Sequence, residues 1–206
     1  MVRDAADCRA LLTALGIDRA HVVGLSYSCA IGLQLAADTP ACGHSLVLLE
    51  PPPTHTSSAP AFLAATDRLI RDRHERGAAD ALDEFLTSVL GPSFLAALER
   101  RLPGGWAQSE RDALTFFDTD LPALRDWRFS KRDARRIECP VLYVGGDVSG
   151  DLFAGVRELV LDWLPQAEDV VIQGAGHSLA LTHPTAAAAA VAAFLSRHPL
   201  SGGSTS

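Results

Sequence analysis

The chain has 206 residues, 48% of them hydrophobic, enough for one domain of ordinary size with a sizeable core. Its 18 basic and 25 acidic residues leave a formal net charge of −7, which argues against nucleic acid and anionic membrane surfaces as partners. The four cysteines, Cys8, Cys29, Cys42 and Cys139, have no C-x-x-C spacing and read as reduced thiols, those at 29 and 139 buried, so a cytoplasmic setting is expected. The start, MVRDAADCRA, has no apolar signal core, and the longest apolar run, Ala186 to Leu195, is too short to span a bilayer.

Apolar residues at helical spacing predict a first helix over Asp4–Leu15, ended by Gly16. Val22–Leu25 reads as a buried strand and Tyr27–Ala37 as a helix stopped by Thr39-Pro40. Ser45–Leu49 is a second apolar strand. It ends at Glu50, and Pro51-Pro52-Pro53 forbids its continuation. From Thr54 to about Arg136 the chain is richer in charge and helical in pieces: Pro60–Arg76, Ala78–Leu90, Ser93–Arg101 and Ala107–Phe117. The aromatic residues of this stretch (Phe62, Phe85, Phe94, Trp106, Phe116, Phe117 and Trp127) either line a pocket or form a small local core, the second being the plainer expectation for any one of them. Strand and helix then alternate again: a strand at Val141–Val144, a helix at Leu152–Leu164, a strand at Val170–Ile172 and a helix at Thr185–Ser196. Ser201–Ser206 is expected to be a disordered tail. The division is therefore core 1–53, helical insertion 54–136, core 137–199 and tail 200–206.

The stretch His21–Gly32, HVVGLSYSCAIG, carries the chemistry. A strand, a break at Gly24, a hydroxyl at Ser26 and a helix of small residues form the layout of a nucleophile elbow. The usual motif is G-x-S-x-G; here the second glycine is replaced by Ser28, whose hydroxymethyl group is expected to crowd or tilt the turn. A serine hydroxyl is a weak nucleophile until a base removes its proton. The turn pushes it out of the sheet and aims the next backbone N–H, that of Tyr27, at a developing oxyanion. The plain alternative is an ordinary turn in which Ser26 caps the helix. Alternating strands and helices imply a parallel sheet, whose sites gather at the carboxyl ends of strands. Ser26, Glu50, Asp147 and His177 all follow strand ends, on that one edge.

The chain resembles the α/β-hydrolase superfamily over essentially its whole length. The resemblance is carried by Gly24-Leu25-Ser26-Tyr27-Ser28, the strand from Leu46 to Pro52, the helical stretch after it, Pro140–Gly145, and Gly174-Ala175-Gly176-His177. It implies an α/β fold with a parallel-sheet core, represented by its C-terminal strands only, and a helical cap insertion. It also implies a Ser–acid–His triad with Ser26 as nucleophile and His177 as base. His21, His44, His55, His74, His183 and His198 have no comparable setting and are expected at the surface. For the acid, many members of the superfamily use the loop after the strand assigned to Val141–Val144. Counting from Gly145 gives Val148 and counting back from Pro165 gives Ser149; neither is acidic. Glu50, 24 residues after Ser26, matches the alternative position of haloalkane-dehalogenase-like members. Glu50 is favoured, with Asp147 second; the plain alternatives are a carboxylate bonded to nearby backbone N–H groups and a turn residue.

Superfamily members carry further strands before the elbow, and with them a loop that supplies a second oxyanion donor. No such segment is visible here. Loss of one donor costs about 10²–10³ in rate, and the elbow strand is expected to present an open apolar edge suited to self-association. Two readings of the chain result. One is a serine hydrolase that cleaves a small ester or similar acyl substrate through an acyl-serine, with no metal or organic cofactor implied. The other is a non-catalytic remnant or interaction module.

Overall fold

The computed structural model describes residues 1–200. The tail expectation for Ser201–Ser206 lies outside the described residues. Four strands, β1 (Ala20–Leu25), β2 (Gly43–Leu49), β3 (Val141–Gly146) and β4 (Ala167–Ile172), form one sheet in sequential order, every neighbouring pair parallel. Strands buried on both faces read as continuous apolar runs rather than as alternating ones, and β2 is the example: Leu46, Val47, Leu48 and Leu49 are all buried. Pleating sends Leu46 and Leu48, with Val141 and Tyr143, into one core. Val47 and Leu49, with Leu142 and Val144, enter another.

The first core is covered by α2 (Tyr27–Asp38), α8 (Lys131–Ala134) and α9 (Val156–Trp163), and α1 (Val2–Ala14) packs on α2. The second is covered by α10 (Leu179–Thr182) and α11 (Pro184–Arg197), whose Phe194 is fully buried. β1 is an edge strand. Its Val23 and Leu25 are 51% and 40% exposed.

Between β2 and β3 lies a helical insertion: α3 (Ala59–Arg76), α4 (Ala78–Leu90), α5 (Phe94–Arg101), α6 (Gly105–Thr115) and α7 (Leu121–Arg125). Gly77, at φ 93°, takes a backbone conformation closed to most side chains and breaks α3 from α4. Leu69, Ala81, Leu82, Ala113, Phe117 and Leu121 give the insertion a core of its own. No single helix among the described residues is long and apolar enough to cross a membrane.

Three expectations shift. The helix expected to end at Phe117 gives way at Phe116–Asp120 to a wider turn, closed by Leu121 N–H to the Phe116 carbonyl, before α7. Pro122 has no N–H to donate, so the ladder restarts there. The helix expected from Leu152 begins only at Val156, because residues 147–155 form a run of turns, tied at Val148 N–H to the Ala175 carbonyl. β4 begins at Ala167, three residues early. Its charged Glu168 and Asp169 pair with Arg197 and Arg157, which disguises the strand as a polar connector.

The histidine expectation is corrected. Among the six expected at the surface only His74 is exposed. His55 packs edge-on against Trp127, at 4.9 Å between ring centroids. His21 meets Ser45 at 2.7 Å and His44 edge-on. Burial lowers the pKa of both His55 and His21.

Candidate active site

Ser26 stands between the last residue of β1 and the first of α2, at φ 50° and ψ −116°. Its N–H donates to the Leu49 carbonyl and its carbonyl accepts from Cys29 N–H, both at 2.9 Å, so neighbouring backbone holds the turn. Gly24 makes it sterically possible. A Cβ there would lie 2.7 Å from Cys29 Cα and from the Ser28 carbonyl oxygen. Ser28 does not crowd the turn as its size suggests. Its hydroxyl accepts from Leu25 N–H (2.8 Å) and donates to the Leu25 carbonyl (2.9 Å), closing the elbow.

The only non-glycine residues with positive φ among those described are Ser26 and Glu50, the latter at 46°. Such backbone costs of order 1–3 kcal/mol and persists only where surrounding contacts enforce it. At Glu50 the enforcing contact is its own N–H, which donates to the Val144 carbonyl at 3.1 Å. The kink at the end of β2 turns the side chain across the rim of the sheet.

There the expected partners meet. Ser26 Oγ lies 2.9 Å from His177 Nε2, and His177 Nδ1 lies 2.8 Å from Glu50 Oε2. The other Glu50 oxygen, Oε1, accepts from Gly146 N–H at 2.8 Å and from the Ser149 hydroxyl at 2.5 Å. Glu50 is 1% exposed and His177 4%. A buried carboxylate needs its lone pairs occupied, and here three donors surround it. Phe153 stacks on the His177 ring at 3.8 Å between centroids and 18° between planes.

Asp147, the second-choice acid, is not brought to the imidazole. Its Oδ1 accepts from Gly174 N–H at 2.6 Å, tying the loop after β3 to the loop that carries His177. Counting back from Pro165 puts Ser149 in the usual acid slot, and its hydroxyl donates to the Glu50 carboxylate. Phe153 gives no signal in the sequence, since stacking on a ring 24 positions away is a tertiary event.

Tyr27 opens α2, so its N–H has no acceptor within the helix and is available to an oxyanion. Burial raises the Tyr27 phenol well above its ordinary pKa, keeping it neutral. Cys29, fully buried beneath the elbow with its sulfur 3.5 Å from the Leu49 carbonyl, has a thiol pushed up by burial and is not a competing nucleophile. Above Ser26 and His177 lies a cavity of about 270 Å³, walled by side chains from the insertion. Of the insertion's aromatic residues, Phe62, Phe85 and Phe116 line it. Phe117 instead fills the insertion's core, and Trp127 donates its indole N–H to Gln34 at 2.9 Å in the main core.

A sequence model described as the alpha/beta hydrolase family matches residues 2–191. The chain is similar to RutD of Enterobacter cloacae subsp. cloacae, provisionally named a carbamate hydrolase, with 32% identity over 188 residues. That match covers 84% of this chain and 64% of the relative, so the chain spans less than two thirds of that relative's length. Among solved structures it is similar to a carboxylesterase of the thaumarchaeon Nitrososphaera gargenis, with a TM-score of 0.77 and 18% identity over 96% of this chain and 72% of that one. It is equally similar to MGS-M2, an alpha/beta hydrolase from a deep-sea metagenome, with a TM-score of 0.77 and 20% identity over the same shares. A family match along nearly the whole sequence, joined to a parallel sheet with its reactive side chains on one rim, makes this chain a member of the alpha/beta hydrolase family.

Proposed function

We propose that the protein is a serine hydrolase that cleaves a small ester through an acyl-serine intermediate. The unbroken hydrogen-bonded line from Ser26 through His177 to Glu50 carries this reading. Ser26 Oγ attacks the ester carbonyl carbon while His177 Nε2 takes the hydroxyl proton. Glu50 accepts the Nδ1–H bond throughout, fixing the tautomer and stabilising the imidazolium. The Tyr27 N–H donates to the oxyanion, aided by the positive end of α2. Collapse breaks the bond to the alkoxy oxygen, which leaves as the alcohol with the proton from His177. Water then gives a proton to Nε2 as it attacks the acyl carbon, and its oxygen stays in the released acid while Ser26 regains its proton. The insertion serves as a cap over this chemistry. Four unpaired cysteines support a reducing, cytoplasmic setting.

The test is labelling with a fluorophosphonate probe. Intact-mass analysis should find one adduct on the wild-type chain and none on Ser26→Ala. Absence of labelling on a chain with a folded circular-dichroism spectrum would favour the non-catalytic reading instead. A carbamate is the second substrate reading, favoured by the likeness to RutD; attack on its carbonyl needs the same groups.

A second copy of the chain is the partner proposed for the β1 edge. Alternation along a strand sends the backbone groups of His21 and Val23 away from β2, and Val23 is apolar and exposed. Analytical ultracentrifugation should find concentration-dependent association that Val23→Lys weakens; a monomer at all concentrations would refute it.

A further inference from the structure

The cavity over Ser26 selects a class of ester, an inference that rests on the serine-hydrolase reading. Its floor is Ser26, His177, Leu25, Pro52 and Pro53. Its walls come from the cap: Phe62 of α3, Phe85 and Val89 of α4, Phe116 of the wide turn, and Leu121 and Leu124 of α7. The polar side chains that line it are Ser26, Tyr27, His177 and Ser178. Among the described residues no Asp, Glu, Lys or Arg lines it, and Glu50 is sealed behind His177.

A charge brought into such a cavity leaves water and finds no counter-charge, a cost that excludes it unless it neutralises. Apolar area gains by the same transfer. Size sets a second limit. At about 270 Å³ the cavity lies just under the range of small-molecule pockets, roughly 300–1,000 Å³, which suits an ester with one arm of about six carbons rather than a long chain. We propose that the substrate is a neutral ester with one apolar arm of medium length lying between Phe62, Phe85 and Phe116, and that esters bearing a second, ionised carboxylate are rejected. A small, highly polar carbamate meets nothing on these walls that would select it.

Binding to the Ser26→Ala chain, followed by ligand-observed NMR titration, tests this without requiring turnover. The ligands are methyl acetate, methyl hexanoate, methyl dodecanoate, monomethyl adipate and methyl 6-methylheptanoate. Methyl hexanoate should bind tightest of the straight-chain esters, by about tenfold over the acetate, in line with the selectivity that hydrophobic pockets reach. Monomethyl adipate, in which a carboxylate replaces the terminal methyl of methyl hexanoate, should bind at least tenfold more weakly than methyl hexanoate and than methyl 6-methylheptanoate, its neutral match in shape. Val89→Trp, which fills part of the cavity, should weaken the hexanoate ester about tenfold and the acetate by less, in a chain whose circular dichroism matches wild type. Equal binding of monomethyl adipate, tightest binding of the acetate or the dodecanoate, or no binding of any ester would each overturn the proposal. Tight binding of the hexanoate ester by Ser26→Ala, together with a wild-type chain that fluorophosphonate fails to label, would overturn the hydrolase reading alone.

Discussion

Glu50 and Ser149 meet at one imidazole: the carboxylate contacts His177 and the hydroxyl contacts the carboxylate. One of the two counts through the loop after β3 puts Ser149 where many members of the family place the acid, and the carboxylate beside His177 comes instead from the end of β2. Both routes deliver an oxygen to the same Nδ1–H, because Glu50 and the 147–155 loop share one rim of the sheet. Glu50→Gln removes the charge and offers the imidazole an amide in its place, favouring the wrong tautomer, so the rate of Ser26 acylation should fall by about 10³–10⁴. Asp147→Asn keeps an acceptor for Gly174 N–H and should stay within about threefold of wild type when acylation is followed by stopped flow. If the two variants exchanged ranks, the acid would be Asp147. Ser149→Ala leaves one Glu50 oxygen with a single donor. A hydrogen bond to a charged group is worth about 1.5–3 kcal/mol, so kcat should fall about tenfold with KM unchanged. The lower limb of the pH–rate profile should move, and Ser149→Thr should restore both. A Ser149→Ala variant that lost stability but kept its pH profile would mean the serine only packs.

The element that matters most is the elbow between β1 and α2. The close approach at Gly24 lets the helix begin one residue after Ser26. Gly24→Ala must push Cβ into the backbone of residues 28 and 29, not into a flexible side chain. It should destabilise the chain by about 1–3 kcal/mol, read from urea midpoints, and fluorophosphonate labelling should slow even where the chain remains folded. A variant of wild-type stability would mean that the turn has slack absent from the structure. Elements are most legible in the sequence where one signal dominates. The helix over Ala78–Leu90 stands between Gly77 and Gly91 at the expected residues, and the apolar run of β2 could be little else. They are obscured where two signals compete. The polar start of β4 looks like a loop because its charges are paired across helices, and the wide turn at Phe116–Asp120 has a helical sequence but not a helical ladder.

For the whole molecule, acid is the informative stress. His55 lies among Trp127, Trp163 and the Phe129 N–H, and burial lowers its pKa, with the nearby Arg128 charge adding to the effect. His21 is lowered first by burial and then by His44 and His198. A group whose folded pKa lies below its unfolded value of 6.5 binds its proton more readily in the unfolded chain. The stability tied to these two residues is therefore complete above pH 6.5 and is lost as the pH falls below it, towards their lowered folded values. Urea unfolding at pH 7.5 and pH 5.5 should give the smaller free energy at pH 5.5. His55→Gln should be less stable at both and should flatten the difference; an unchanged pH slope would mean that His55 titrates normally.

The sequence by itself determined the order of strands and helices, the elbow, and the side of the sheet on which Ser26, Glu50, Asp147 and His177 emerge. These arise from periodicity and from glycine and proline placement, which act over a few residues. It ranked Glu50 above Asp147 only through a family resemblance, and it did not say which aromatic residues face a substrate. Those outcomes depend on contacts between positions 24 to 151 residues apart. Only the folded chain brings such side chains within a few ångströms, and only there does burial decide which carboxylate is surrounded by donors and which cavity wall is left without a charge.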